Sequence, residues 1–249
     1  MQSFPKDSRD EFEIENAKNI LQFFPSYKSF WEKFIGDSYK YKYVLTPREP
    51  SFPTGYSKDK IKKMNELHIL MNKLSYSIFC NLVSAEKLSI EYKKTLPLTN
   101  SYFAFWAIED FESAYFHIGN IKYALHNLWT GIKMVFFPKT YISYDLASYL
   151  KSIGKDKNWI LLNDEPDNIR TNLVHLCRHT FRQINKKLYL PDYVKKKQYL
   201  WNQINTGGWV TAEEKLDSHI KIVFDVCEDF YSSIIPVMEK YLTKEGIKI

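Results

Sequence analysis

Three long stretches of the sequence repeat apolar residues at steps of three and four, the spacing that lines one face of an α-helix. They cover residues 58–92, 102–136 and 211–242. Pro97 and Pro138 follow the first two stretches, where proline ends a helix. Thr211 and Glu214 stand in capping-box register at the start of the third stretch. The sequence therefore predicts long amphipathic helices.

A fourth long helix is predicted over residues 167–187. Asp164 is placed to cap it, Pro166 suits its first turn, and Pro191 follows its end. The chain has only 8 Gly and 10 Pro, and so has few residues for the tight turns of a many-stranded sheet. We therefore expect an all-α fold, an up-and-down helical bundle of about four long helices with additional N-terminal helices and a loop.

No internal repeat and no linker rich in glycine or serine divides the sequence, so a single domain over residues 1–249 is expected. Its helical core covers about residues 57–242, and residues 1–56 form a helical and aromatic extension in which Pro25 interrupts an apolar run. A short helix over residues 144–153 is expected to end at Gly154, because glycine adopts the left-handed cap conformation at little cost.

Composition and motifs exclude several classes of protein. A hydrophobic fraction of 45% excludes a disordered chain, and three widely spaced cysteines indicate neither a disulfide framework nor a zinc knuckle. No secretory leader, membrane span, glycine-rich nucleotide loop or metal-binding His/Glu motif is found, so we expect a cytoplasmic protein with no metal and no cofactor. The net charge of +6 is compatible with a nucleic acid partner without requiring one.

Arginine and histidine cluster in one short segment. Of five arginines, Arg170, Arg178 and Arg182 lie within thirteen residues, together with His175 and His179. On a helix, Thr171, His175, Arg178 and Arg182 share one face. A permanently charged guanidinium beside an imidazole that exchanges a proton near neutral pH suits phosphodiester chemistry. The alternative is an ordinary solvated face whose arginines pair with nearby acids.

The string from Arg170 to His175, an Arg-x4-His sequence on a helix late in an all-α bundle, resembles the motif of the HEPN superfamily (higher eukaryotes and prokaryotes nucleotide-binding domains). The resemblance implies a homodimer in which the Arg and His of both copies cleave RNA without metal, through attack of the 2′-hydroxyl on the adjacent phosphate. It assigns charge stabilisation to Arg170 and proton transfer to His175. Beyond the resemblance, we predict that Thr171, Asn172, Arg178 and Arg182 are supporting phosphate-binding or orienting groups.

The sequence departs from the family pattern at one position. Active members commonly carry Asn, Asp or His directly after the motif arginine, whereas this chain has Thr171. The alternative function is therefore a non-catalytic HEPN-like module that binds nucleotide, RNA or protein, with an antitoxin-like or nucleotidyltransferase partner. A purely structural bundle is a third alternative.

Two further groups have both a functional and an ordinary interpretation. Lys195, Lys196 and Lys197 with Tyr199 interleave positive charge and aromatic rings, as a surface that contacts RNA does, although a solvated lysine loop is favoured. Asp110 and His117 lie seven apart on one face of a predicted helix. For them a buried or half-buried hydrogen bond within the bundle is favoured over an orienting pair.

Overall fold

The structure is a computed structural model that describes residues 25–30, 74, 77–78, 80–94, 101–136, 144–164, 166, 169, 182–185, 187–191 and 209–244. Its helices are α1 (Pro25–Phe30), α2 (residues 80–94), α3 (Ser101–Phe136), α4 (Leu146–Ser152), α5 (Lys157–Asn163) and α6 (Ala212–Lys244). Three short strands accompany them: β1 (Arg182–Ile184), β2 (Lys187–Pro191) and β3 (Trp209–Thr211). The predicted, mostly all-α fold is confirmed.

Helix α6 lies at the centre of the described elements. It packs against α1, α3 and α5 and against strands β2 and β3. Its fully buried apolar residues recur at steps of three and four and include Leu216, Val223, Cys227, Phe230, Ile234 and Met238. Because that spacing keeps them on one side of the helix, the predicted apolar stripe is the core face of α6.

Helix α3 contributes the other large share of the core. Its buried face includes Phe111, Tyr115, Ile118, Leu125, Trp129 and Ile132. The Trp129 ring stacks on Tyr149 of α4 at a centroid distance of 4.2 Å, and its Nε1 donates to the Tyr144 carbonyl at 3.1 Å. The indole therefore fixes α4 to the side of α3 by apolar contact and by a hydrogen bond.

Two predicted helix boundaries are confirmed by their caps. Helix α6 begins directly after Thr211, whose Oγ1 accepts a hydrogen bond from the Glu214 backbone N–H at 3.3 Å. Helix α4 begins after Asp145, which accepts from the Ser148 N–H at 2.7 Å, and is followed by Gly154 with φ of +70°. Each cap satisfies backbone groups that the helix itself leaves without partners.

Helices α1 and α5 flank α6 and are both short. Helix α1 begins at Pro25, since proline suits the first turn of a helix, and Ser26 N–H donates to Glu228 at 3.1 Å across 202 residues of sequence. Helix α5, which the sequence did not indicate, buries Trp159. Asn158 Nδ2 of α5 donates to Asp229 of α6 at 2.8 Å.

The prediction of a helix over residues 167–187 is wrong in its C-terminal part. Residues 166 and 169 are helical, as expected, but Arg182–Ile184 and Lys187–Pro191 are antiparallel strands, in a sheet of order β1-β2-β3. Ile184 pairs with Lys187, which leaves a two-residue turn, and Asn185 has a φ of +48°. That left-handed conformation suits a tight hairpin and interrupts any right-handed helix.

Candidate functional site

Most of the predicted site residues lie outside the described residues. These are the central pair Arg170 and His175, the supporting residues Thr171, Asn172 and Arg178, and the RNA-contact candidates Lys195, Lys196, Lys197 and Tyr199. The structure therefore does not place them relative to one another.

Arg182 is the one predicted site residue whose backbone the structure describes. It lies in β1 and pairs with Tyr189 of β2. Because side chains alternate along a strand instead of advancing about 100° per residue, Arg182 does not extend a helical stripe with Arg178. The prediction that Thr171, His175, Arg178 and Arg182 share one helical face is therefore wrong at Arg182.

The residues just before the Arg170–His175 string are fixed to the core. Pro166 is buried and helical, and Ile169 is fully buried and helical. They follow α5, whose last turn is closed by a hydrogen bond from the Asp164 N–H to the Leu161 carbonyl at 3.2 Å. The string therefore begins directly after two buried helical residues.

The described residues hold a polar cluster where α2 meets the first turns of α6. Asp217 accepts from Ser89 Oγ at 3.1 Å and from Lys93 Nζ at 2.8 Å. Ser89 is 2% exposed, whereas the side chains of Lys93 and Asp217 are 38% and 47% exposed. An ion pair that exposed contributes about 1 kcal/mol or less, so the cluster orients the two helices more than it stabilises them.

Two other ionisable groups beside this cluster are affected by burial. Burial raises the pKa of Glu86, and the Lys93 charge opposes that rise. Burial also raises the pKa of Tyr92, as do the carboxylates of Glu213 and Asp217. The Tyr92 hydroxyl is fully buried and has no hydrogen-bond partner within the described ranges. Both groups are therefore held in their neutral forms at higher pH than usual.

A buried tyrosine and histidine join α3 to α6. The Tyr115 hydroxyl lies 2.6 Å from His219 Nδ1, and the two rings meet edge to face at 5.6 Å. Phe111 continues the ring contacts to Tyr115 at 4.9 Å and to Tyr92 at 6.1 Å. His219 is only 2% exposed, so its imidazole is out of reach of a polymeric substrate. Its contact with Tyr115 holds two helices together.

His117 makes the half-buried hydrogen bond expected for it. Its Nδ1 lies 2.8 Å from Asn81 Oδ1 of α2, and burial lowers the pKa of the imidazole. Asp110 has its pKa raised by burial and by the charges of Glu91 and Glu109. No sequence pattern indicated Asn81 as the partner, because it lies 36 residues away on another helix.

The described ranges contain few other candidates for a functional site. There, no group of three or more His, Cys, Asp or Glu side chains is arranged to bind a metal ion. No helix in the described part of the chain is both long enough and apolar enough to span a membrane. The Cys227 thiol is buried in the α6 core, which raises its pKa and leaves it unsuited to nucleophilic chemistry.

Comparison with known proteins gives no relative: no family model, no curated protein and no solved structure matches the chain.

Proposed function

We propose that this chain is a HEPN-like, metal-independent endoribonuclease in which Arg170 and His175 form the central pair. The observation that carries the proposal is the Arg-x4-His string in a mostly helical fold, directly after the buried helical residues Pro166 and Ile169. The basic net charge of the chain and the clustering of its few arginines agree with an anionic substrate.

The burial of Ile169 sets which side of a continuing helix would face the core. Ile169 faces the core, and on a continuing helix Leu173 and Leu176 return to the same side. Arg178 and His175 then fall on the opposite side, with Arg170 at the edge between the two. This arrangement presents the charged groups to a substrate while the leucines hold the helix to the bundle.

The proposed reaction is an internal transesterification of RNA. His175 takes the proton from the 2′-hydroxyl, the resulting oxygen attacks the neighbouring phosphorus, and the 5′-oxygen leaves with a proton, so that a 2′,3′-cyclic phosphate and a 5′-hydroxyl result. Arg170 stabilises the charge that develops on the phosphorane. A homodimer supplies a second Arg and His, so that separate imidazoles act as base and acid.

The remaining predicted residues serve substrate binding in this proposal. Thr171, Asn172 and Arg178 orient the phosphate, and Lys195 to Lys197 with Tyr199 hold the backbone and stack on a base. Arg182 is assigned to RNA contact from the β1–β2 hairpin instead of to the catalytic helix, because it lies in β1.

A non-catalytic HEPN-like module that binds RNA, a nucleotide or a partner protein is the second candidate. Two observations favour it. Thr171 replaces the amide, acid or imidazole common after the motif arginine, and the position of Arg182 in a strand leaves fewer cations on the helix predicted to carry His175. An antitoxin-like or nucleotidyltransferase partner would then be the binding partner of interest.

The two candidates are separated by an RNA cleavage assay. Wild-type protein, Arg170→Ala and His175→Ala are incubated with mixed single-stranded and structured RNA in EDTA, and product ends are analysed for cyclic phosphate. Lys221→Ala, which removes an exposed cation from α6, is the matched control for lost positive charge. Circular dichroism of each variant checks that the helices are retained.

We expect cleavage by the wild type and by Lys221→Ala, with a loss of at least about 100-fold in His175→Ala, the usual contribution of a general acid or base. RNA binding without cleavage by the wild type would favour the second candidate. Cleavage that His175→Ala retains in full would contradict the assigned site.

A further inference from the structure

Three carboxylates lie together where α2 meets the first turns of α6. They are Glu86 of α2 with Glu213 and Asp217 of α6, called here the acidic cluster. The two acids of α6 are one helical turn apart, and the charge of Asp217 acts on Glu86 across the helix contact. Within the described residues, one lysine is bonded to the cluster, with Lys93 Nζ at 2.8 Å from Asp217. The cluster therefore keeps an excess of negative charge.

The Tyr92 hydroxyl is buried beside this cluster and makes no hydrogen bond within the described ranges. Tyr92 lies three residues after Ser89 on the buried face of α2, and Ser89 Oγ donates to Asp217 at 3.1 Å. The charges that act on the Tyr92 hydroxyl are those of Glu213 and Asp217. Buried polar groups are almost always bonded to protein, water or a ligand, so this hydroxyl marks a position for a further hydrogen-bonding group.

Helix stability accounts for only part of this arrangement. Acidic side chains in the first turn of a helix interact favourably with its dipole, which explains Glu213 and Glu214 at the start of α6. The dipole of α6 does not explain Glu86, which lies on another helix, or a buried hydroxyl turned toward carboxylates. The cluster and the hydroxyl together indicate a site for a cation that can donate hydrogen bonds.

The chemistry of the cluster favours an ammonium group over a metal ion. In the described part of the chain, no three His, Cys, Asp or Glu side chains are arranged to bind a metal. Lys93 already places an alkylammonium against Asp217, which shows the kind of cation that these carboxylates accept. An alkylammonium has three N–H donors, enough for a carboxylate and the phenol oxygen of Tyr92 together. A quaternary ammonium has none.

We propose that the acidic cluster and the Tyr92 hydroxyl bind an aliphatic diamine or longer polyamine. One ammonium group donates to Glu213 and to the Tyr92 oxygen, and a second offsets the charge of Glu86. Three carboxylates with Lys93 leave two negative charges, which at least two ammonium groups are needed to match. The side chains of Lys93 and Asp217 are 38% and 47% exposed, so the amine reaches the cluster from solvent between α2 and α6.

Isothermal titration calorimetry of the full chain with 1,4-diaminobutane tests the proposal. Tetramethylammonium is the control probe, because it has the charge of an ammonium without its donors, and sodium chloride keeps the ionic strength equal in all titrations. We expect saturable binding of the diamine and none of tetramethylammonium. No RNA is present and neither Arg170 nor His175 is involved, so this result and that of the cleavage assay are independent.

Two conservative variants locate the site. Tyr92→Phe is expected to keep its fold by circular dichroism and to bind the diamine about 10-fold more weakly, because a hydrogen bond to a charged group is lost. Glu213→Gln is expected to weaken binding by at least as much. Glu214→Gln is the matched control, since it removes the same charge from the next residue of α6, which is exposed, and should leave the affinity unchanged.

A third variant should act in the opposite direction. Lys93→Met removes the ammonium already bonded to Asp217, so the diamine is expected to bind more tightly. Lys94→Met is its matched control, because Lys94 is exposed and pairs with Glu91 instead of with the cluster. A gain in affinity in the first variant alone would support competition between Lys93 and the ligand for the same carboxylates.

Four outcomes would overturn the proposal. The first is the absence of saturable diamine binding at millimolar concentration. The second is equal binding of tetramethylammonium, since charge alone would then attract both probes. The third is unchanged affinity in Tyr92→Phe and Glu213→Gln, which would place the amine elsewhere. The fourth is displacement of the diamine by magnesium chloride at equal ionic strength, which would make the cluster a metal site.

Discussion

The two longest of the described helices, α3 and α6, differ in the kinds of side chain that they expose. Exposed positions on α6 are polar, charged or proline: Glu214, Asp217, Ser218, Lys221, Pro236, Lys240, Thr243 and Lys244. Exposed positions on α3 include Trp106, Phe116, Tyr123 and Met134. One helix has its apolar surface covered within the fold, and the other presents a second apolar stripe beyond the core.

The difference follows from the neighbours of each helix. Among the described elements, helix α6 is contacted by four helices and two strands, so a single wide stripe of apolar residues is covered from several directions. Helix α3 packs against α6 and α4 on one side and meets α2 through the Tyr92–Phe111 and Asn81–His117 contacts. An amphipathic helix needs only its core stripe to fold, and the exposed aromatic side chains of α3 lie outside that stripe.

The largest expected effect on stability comes from removing a phenylalanine ring from the core face of α6 and, for comparison, from the outer face of α3. Phe230→Ala in α6 removes a fully buried ring and should lower the free energy of unfolding by about 3–5 kcal/mol. Phe116→Ala on the outer face of α3 should cost about 1 kcal/mol or less in dilute protein. Urea unfolding followed by circular dichroism measures both. Equal losses would mean that the outer face of α3 is part of the core.

A smaller effect should distinguish two buried hydroxyls near the junction of α3 and α6. Tyr115→Phe removes the partner of His219 Nδ1 and should cost about 1–3 kcal/mol, because a buried polar atom loses its hydrogen bond. Tyr92→Phe removes a buried hydroxyl that makes no hydrogen bond within the described ranges and should be neutral or stabilising. The two variants are matched controls for each other. A similar loss of stability in both would contradict the view that only the Tyr115 hydroxyl makes a stabilising hydrogen bond.

The smallest effect concerns pH and the contact between α2 and α3. Burial lowers the pKa of His117 below its unfolded value of about 6.5, so the unfolded chain binds this proton at higher pH than the folded one. The stability that comes from keeping His117 neutral in the fold is present above the unfolded pKa, and it is lost as pH falls through the folded pKa. His117→Gln should therefore reduce the loss of stability between about pH 7 and pH 5. An unchanged pH slope in urea titrations would contradict this reading.

The sequence was sufficient to predict the long helices, because their signals are local. The apolar residues of α3 and α6 recur at steps of three and four over more than thirty residues, which no strand pattern imitates. Thr211 with Glu214, and Gly154 at its positive φ, marked boundaries through side-chain and backbone chemistry close in sequence.

The β1–β2 hairpin was missed because its apolar residues also fit a helix. Ile184 and Leu188 are four apart and continued the predicted core face of the helix before them. The signal that could have corrected this is Asn185 followed by the alternating run from Lys187 to Pro191, since asparagine tolerates a positive φ in a two-residue turn. Helical periodicity over the preceding residues outweighed that signal.

The polar contacts between helices were beyond sequence reasoning for a different reason. Tyr115 and His219 are 104 residues apart, and Ser89 and Asp217 are 128 apart, so only the packing of the helices brings them together.

The position of α6 also bears on the order of events during synthesis. Helix α6 contacts α1, α3, α5 and the sheet, and it is the last of the described elements to leave the ribosome. Ser26 forms its hydrogen bond with Glu228 only after 202 further residues have been synthesised. Contacts so distant in sequence make folding slow, and until α6 emerges the inner face of α3 is without its main cover. A nascent chain stalled before residue 212 would therefore be a strong candidate for chaperone binding.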